Sequence, residues 1–273
     1  MAKNYLEYIL FVIVLYKSNY KETKTYVSLL KKYNKQIYIY DNSPTPQDIH
    51  YKNIIYIHDP KNSGLSVAYN KAAQYAKDNG YKWILLLDQD TTFEDGAIEK
   101  YIEAIKNNPD IKLFAPKHKI KSGLYISPTK YYLKYSRPSK KVQTGLTKFS
   151  KASPINSGML INVNAYWEVG GYDNEVTLDF SDIRFIEKFK NNYNSYYIID
   201  STCIQDFSVD EIDTNKLLNR YIIYCKCAKA CYRQNMIDSI AYFFVVFKRC
   251  ISLLIQTKNI SFLKAFINYY IKK

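Results

Sequence analysis

Long apolar runs are missing from this sequence. None reaches the roughly 18–20 uninterrupted residues of a membrane-crossing helix. The N-terminus, MAKNYLEYILFVIVLYKSNY, carries little basic charge before its apolar stretch and no small-residue cleavage site, so a first buried strand is expected there rather than a signal peptide. Cysteines are few and odd in number (Cys203, Cys225, Cys227, Cys231 and Cys250), which argues against a secreted disulfide framework. The close trio Cys225, Cys227 and Cys231 has no zinc spacing and no histidine nearby, so packed helical thiols are expected. The three histidines, His50, His58 and His118, belong to no motif and read as surface or strand-end residues. No internal repeat or low-complexity segment stands out.

What is present is enough for a substantial core. The chain has 273 residues, 47% of them hydrophobic, which suits one large or two small domains. Its net charge of +14 is uneven. Residues 217–273 hold ten Lys and Arg against one acid, Asp238, a net +9 that leaves +5 for residues 1–216. A basic, aromatic C-terminal fifth suggests an anionic partner. Nucleic acid fits the charge but not the rest: no DNA or RNA motif is visible and the tail is too apolar for a solvated phosphate-binding arm.

The short buried runs Tyr8–Tyr16, Gln36–Tyr40, Asn53–His58 and Tyr81–Leu87 predict four strands. Helical spacing predicts helices over Lys21–Tyr33, Leu65–Asp78 and Glu94–Lys106, the second closed by Asn79-Gly80. This alternation argues for an α/β fold with an open, mostly parallel sheet flanked by helices. Ligands of such sheets bind beyond the carboxyl ends of the strands, where Lys17, Asp41, His58/Asp59 and Asp88 would stand. Lys117–Ser153 has no clear period and suits hairpins or a mobile loop. Further expectations are strands over Pro154–Asn164 and Ser195–Asp200 and a helix start over Asp179–Phe189. The rest is helical: Asn215–Asn235, Ile237–Gln256 and Ile260–Ile271.

Asp88-Gln89-Asp90 ends the fourth strand. Two carboxylates there suit one Mg²⁺ or Mn²⁺, or one metal contact and one ribose contact; the alternative is a solvated turn with Thr91 and Thr92 capping the next helix. Asn62-Ser63-Gly64 precedes the second helix and Asn70 lies within it; Gly64 permits close ligand approach, or Asn62 or Ser63 is an ordinary N-cap. Asp41-Asn42-Ser43 is at least a turn.

Taken in order, Asp41-Asn42-Ser43, Asn62-x-Gly64-x5-Asn70, LLLDQD, Ser157-Gly158 and Gly170-Gly171-Tyr172-Asp173 with the acids beyond it resemble the family 2 inverting glycosyltransferases of the GT-A (Rossmann-like) fold, in their rhamnosyltransferase-like branch. The resemblance runs from about Val12 to Arg184, and it is the combination that is specific. It implies that Asp41 contacts the nucleotide base, Asp88 the ribose or diphosphate, and Asp90, with Asp88, a divalent cation (Mn²⁺ or Mg²⁺). Asn62, Gly64 and Asn70 would shape the donor pocket, and Ser157 and Gly158 the sugar and acceptor region. Asp182 would be the general base, with Asp179 in reserve. Many relatives carry a histidine in the segment corresponding to STCIQDFSVDE, sometimes as a metal ligand. None stands here, so Gln205 or Asp206 substitutes or the metal has no third protein ligand.

The expectation is therefore a GT-A domain over residues 1–214 and a helical extension over 215–273. It would be a metal-dependent transferase using dTDP-rhamnose or a UDP-hexose and a lipid-linked or oligosaccharide acceptor of a bacterial surface glycan. Apolar, basic helices at 240–256 and 260–271 suit either core packing or an anionic membrane surface, and so a cytoplasmic protein on the inner face of the cell membrane. The rivals are a sugar-phosphate nucleotidyltransferase, which wants a Gly-rich phosphate loop that LYKSNYKET lacks, and an inactive membrane-surface scaffold.

Overall fold

Seven consecutive buried residues form strand β1 (Ile9–Leu15) at the middle of the sheet in the computed structural model, which describes residues 5–33, 35–205 and 213–272. On one side of β1 lie β2 (Ile37–Asp41) and then β3 (Ile54–His58); on the other lies β4 (Trp83–Asp88). All these pairings are parallel, with Leu15 opposite Asp41, Asp41 opposite His58 and Val14 opposite Asp88. The connections are α1 (Lys24–Ser28) between β1 and β2 and α2 (Leu65–Asp78) between β3 and β4.

The second half of the sheet is mixed. After β5 (Thr91–Phe93) and α3 (Ala97–Asn107) come β6 (Leu113–Lys119), β7 (Tyr125–Ser127), the hairpin β8 (Tyr131–Tyr132) and β9 (Tyr135–Ser136), and β10 (Gly145–Lys148). Then come β11 (Leu160–Asn162), α4 (Val163–Glu168), α5 (Ser181–Asn192) and β12 (Ser195–Gln205). Strand β11 runs antiparallel between β4 and β6, and β12 pairs with β6, β10 and β5.

Alternate residues of β1 feed opposite faces, as a strand's period of two requires. Leu10, Val12 and Val14 pack with Ala68 and Ala72 of α2 and Tyr166 of α4. Ile9, Phe11 and Ile13 pack with Ile98 and Tyr101 of α3. Each such buried aliphatic or aromatic side chain contributes roughly 1.5–3 kcal/mol. Helices α6 (Thr214–Ala230), α7 (Met236–Thr257) and α8 (Ser261–Phe266) make a third cluster that takes in Val176 and Phe180 from the segment before α5. The five thiols are free and buried, four of them in this cluster.

Four local expectations meet a different outcome. The stretch Lys21–Tyr33 is not one helix: Thr23 caps Tyr26 N–H, Ser28 Oγ donates to Lys24 O, and only Lys24–Ser28 is α-helical between two 3₁₀ turns. Pro154–Asn164 is strand only over β11, because the Asn162 side chain accepts from Asn164 N–H and Ala165 N–H and starts α4. Strand β12 runs on to Gln205, drawn out by pairing with both β6 and β5. Helix α7, although no uninterrupted apolar run exceeds the membrane length, is by length and composition able to cross one, and 22% of that stretch is buried.

Gly158 fixes the join between β4 and the segment before β11. Its φ is +76°, its N–H donates to Leu86 O (2.7 Å), and its carbonyl accepts from Tyr101 Oη (2.5 Å). A Cβ there would lie 2.5 Å from Pro116 Cγ. Gly158→Ala is expected to cost about 2–3 kcal/mol, read as a lower urea midpoint at unchanged slope.

Candidate active site

The parallel order of β3, β2, β1 and β4 brings Asp59, Asp41, Lys17 and Asp88 to one sheet edge. Asp41 is fully buried, and its carboxylate serves the chain itself. Oδ1 accepts from Ser43 N–H (2.9 Å); Oδ2 accepts from Gln47 Nε2 (2.9 Å) and Tyr56 Oη (2.8 Å). These bonds shape the 41–47 loop, which with Lys17, Ser18 and Asn19 walls a cavity of about 460 Å³. Asp41 thus stands behind that cavity rather than on its lining. The Lys17 N–H donates to Ser43 Oγ (2.7 Å) and closes the wall.

Asp59 does the same one strand further out. Burial opposes its ionisation, but donors from Ser63 N–H (3.0 Å), Tyr40 Oη (2.9 Å) and Lys61 N–H (3.1 Å) overcome it and take the carboxyl down to about 2. The turn that it caps carries Asn62, exposed and with φ +52°, to Gly64. Gly64 has φ +95°, and a Cβ there would meet Thr177 O at 2.4 Å. Its close approach is therefore to backbone: the next amide, Leu65 N–H, donates to Thr177 O (2.7 Å). Asn70 is likewise saturated from within. Nδ2 donates to Tyr172 O (2.9 Å) and Asn174 Oδ1 (2.8 Å), and Oδ1 accepts from Tyr166 Oη (2.6 Å) and Tyr172 N–H (2.9 Å). It clamps the Gly170-Gly171-Tyr172-Asp173 turn to α2. Lys188 and Arg184 of α5 hold the same turn through Asp173 (2.9 and 2.7 Å).

Asp88 ends β4 in a braced turn. Ser157 Oγ bridges Thr91 Oγ1 (2.8 Å) and Asp88 N–H (3.4 Å), and Ser157 O accepts from His118 Nε2 (2.8 Å). Buried Thr25 of α1 donates to Asp88 O and Thr91 O (2.9 Å to the latter). Gln89 spans to β1, its Oε1 accepting from Tyr16 N–H (2.9 Å) and its Nε2 donating to Tyr16 O (3.2 Å). Burial pushes the Asp88 carboxyl up to about 7, and the like charge of Asp90 adds to the rise. The bond from Tyr69 Oη (3.3 Å) opposes it, and the charge of Asp182 adds a little more. Asp90 itself is exposed.

Asp182 sits in the first turn of α5, entered through Phe180 at φ +65°. Burial takes its carboxyl up to about 6, against the Ile183 N–H that donates to it (2.7 Å), with Asp179 repelling it further. It lines a cavity of about 350 Å³ together with Asn156, Tyr131 and Tyr224. Asp179 lies before the helix rather than in it, and Arg220 of α6 grips it with two N–H donors (Nη2 to Oδ1, 2.8 Å). That pairing engages both Asp179 oxygens and leaves Asp182 as the less committed carboxylate. The β8–β9 hairpin roofs the cavity. Its turn residue Lys134 pairs with Glu187 of α5 and Asp238 of α7 (3.2 Å to the latter).

The donor set suits a hard divalent cation. Asp88 and Asp90 offer carboxylate oxygens that repel one another when both are charged. Gln205 faces Thr91 in the β12–β5 ladder, and its buried Oε1 has no hydrogen-bond partner among the described residues. Asp206 lies outside the described residues. Among those residues no group of three His, Cys, Asp or Glu side chains forms a closed metal cage. Sequence reasoning missed Thr25, Gln89, Tyr69 and His118. His118, read as a surface or strand-end residue, stands within β6 one residue before its end and is fully buried, and burial takes its imidazole down to about 4. Only Gln89 had a visible signal, its place between the two acids.

A raised carboxyl sets a sign. Between the ordinary carboxylate range of about 4 and about 7, folded Asp88 holds a proton that the unfolded chain has released. Its contribution to stability is present at low pH and is lost as pH rises through about 7. Asp88→Asn is expected to raise the Tm of metal-free protein at pH 8 and to leave it near the parent value at pH 5; equal shifts at both would contradict this.

Residues 11–170 match glycosyl transferase family 2. The dTDP-rhamnosyl transferase RfbF of Shigella flexneri is 25% identical over 178 residues, covering 63% of this chain and 59% of that protein. The chain thus spans less than two-thirds of that relative's length. Among solved structures, GalNAc-T7 with UDP, GalNAc and Mn²⁺ superposes with TM-score 0.58 at 12% identity, over 90% of this chain and 55% of that one. S. aureus TarS 1-349 in complex with UDP-GlcNAc does so with TM-score 0.54 at 11% identity, over 96% and 79%. At such identities they establish the fold, a GT-A sheet with C-terminal helices.

Proposed function

Because the chain belongs to glycosyl transferase family 2, we propose that it moves a sugar from a nucleoside diphosphate sugar, dTDP-rhamnose or a UDP-hexose, to a saccharide hydroxyl with inversion. One observation carries this reading: Asp182, its carboxyl pushed up by burial to about 6, lines a cavity, and its charge reaches Asp88 at the sheet edge. The relative named a dTDP-rhamnosyl transferase and the structure with UDP-GlcNAc support the donor class.

In the transfer, the acceptor oxygen attacks the anomeric carbon as the bond from that carbon to the diphosphate oxygen breaks. The acceptor proton passes to the Asp182 carboxylate, and the nucleoside diphosphate leaves. A carboxyl near 6 is mostly ionised at neutral pH and yet a better base than an exposed aspartate. The cavity walled by Lys17 and the 41–47 loop would take the base, with Asp41 fixing that loop. Asn62, Gly64 and Asn70 would hold the donor side in shape, and Ser157 and Gly158 would hold Asp88. Asp90 and Asp88 would hold Mn²⁺ or Mg²⁺, which offsets the charge of a departing diphosphate; a GT-A neighbour was solved with Mn²⁺.

The acceptor is proposed to be a lipid-linked glycan of a bacterial surface, met at the cytoplasmic face of the membrane. Helix α7 supports this. It buries Tyr242, Val246 and Cys250 but turns Ile237, Ile240, Ile251 and Ile255 outward. That is an apolar face of the kind that lies against a bilayer.

Asp182→Asn is expected to lower transfer about 10²–10⁴-fold with donor binding retained by calorimetry; parent-level activity would move the base elsewhere. In the parent, kcat/KM should rise as pH climbs through about 6, and a flat profile would contradict the role. Asp90→Ala should abolish the Mn²⁺ dependence of donor binding. The pair Ile237→Glu and Ile255→Glu should weaken binding to anionic vesicles, and unchanged binding would remove the membrane assignment.

A further inference from the structure

A second, larger cavity adjoins the one that holds Asp182. A groove of about 1310 Å³ runs between residues 128–152, the start of β12 and one side of α7. Six cations line it: Lys130, Arg137, Lys141, Lys148, Lys151 and Lys248. All six are exposed, and among the described residues no Asp or Glu lines the groove. Tyr135 and Val245 belong to both this groove and the Asp182 cavity, so the two spaces adjoin across the β8–β9 hairpin. The Lys248 ammonium lies 4.3 Å from the Tyr135 ring centroid, at that junction.

Resting on the glycosyltransferase reading, we infer that this groove seats the phosphate-bearing part of the acceptor, so that the glycan the enzyme extends is a polyanion. Six like charges without a carboxylate among them repel each other unless an anion lies between them. Phosphate oxygens match both ammonium groups and the planar fork of Arg137. The volume exceeds the roughly 300–1,000 Å³ of a single small-molecule site, which fits an extended chain. The cations line a concavity, which a chain can enter and a bilayer surface cannot. An acceptor hydroxyl brought to Asp182 past Tyr135 leaves the rest of its chain in this groove.

The probe is a fluorescein-labelled poly(glycerol phosphate) oligomer, followed by anisotropy, with a neutral dextran oligomer and phosphatidylglycerol vesicles as the other arms. The parent protein is expected to bind the phosphate oligomer in a salt-sensitive way and the dextran far more weakly. The triple variant Arg137→Glu, Lys141→Glu, Lys148→Glu should lose about tenfold or more in oligomer affinity, with donor and Mn²⁺ binding by calorimetry unchanged. Unchanged oligomer affinity in a folded variant, or equal binding of dextran by the parent, overturns the inference alone. Loss confined to vesicle binding overturns it in favour of a membrane contact. Failure of the parent to bind any nucleoside diphosphate sugar would instead sink the transferase reading beneath it.

Discussion

Carboxylates crowded where water is scarce are the constraint around which this molecule is built. Asp90 and Asp182 each repel Asp88, and burial raises the cost of ionising Asp88 and Asp182. Such a cluster persists only if its backbone has no freedom to relax. Strand β4 supplies rigidity from the sheet, while Ser157, Thr91 and Thr25 tie down the turn beyond it. On the Asp182 side, Asn70, Arg184 and Lys188 fasten the double-glycine turn between α2 and α5. The stored repulsion is what a cation or a proton relieves.

The C-terminal helices belong to this arrangement. Arg220 and Tyr224 of α6 and Val245 of α7 line the Asp182 cavity. Arg220 also neutralises Asp179, so one helix of the extension separates the roles of two neighbouring acids. The hairpin turn at Lys134 then links α5 to α7 through Glu187 and Asp238.

The parallel half of the sheet was legible because each of its strands is a short, mostly apolar run bounded by turn residues. The Asp88-Gln89-Asp90 station followed from where the fourth run ends. Residues 117–153 resisted because their strands are short and sit on an edge, so the pattern has no period to display. The inward turn of Asp41 depends on Tyr56 and Gln47, and the pairing of Asp179 depends on Arg220, far along the chain. Such contacts are set by tertiary packing and leave no local trace. Thr25 within α1 is likewise spent on the carbonyls of Asp88 and Thr91, contacts its own segment does not show. Family membership sets aside the nucleotidyltransferase alternative.

Gln89 joins the turn beyond β4 to both polar groups of Tyr16, and the next residue, Lys17, is joined to Ser43. The cavity proposed for the base and the carboxylates proposed for the diphosphate are thus two ends of one rigid gauge. On the proposed reading, a change at Gln89 or Ser43 would move the base cavity against the carboxylates, and so reach the donor without touching it.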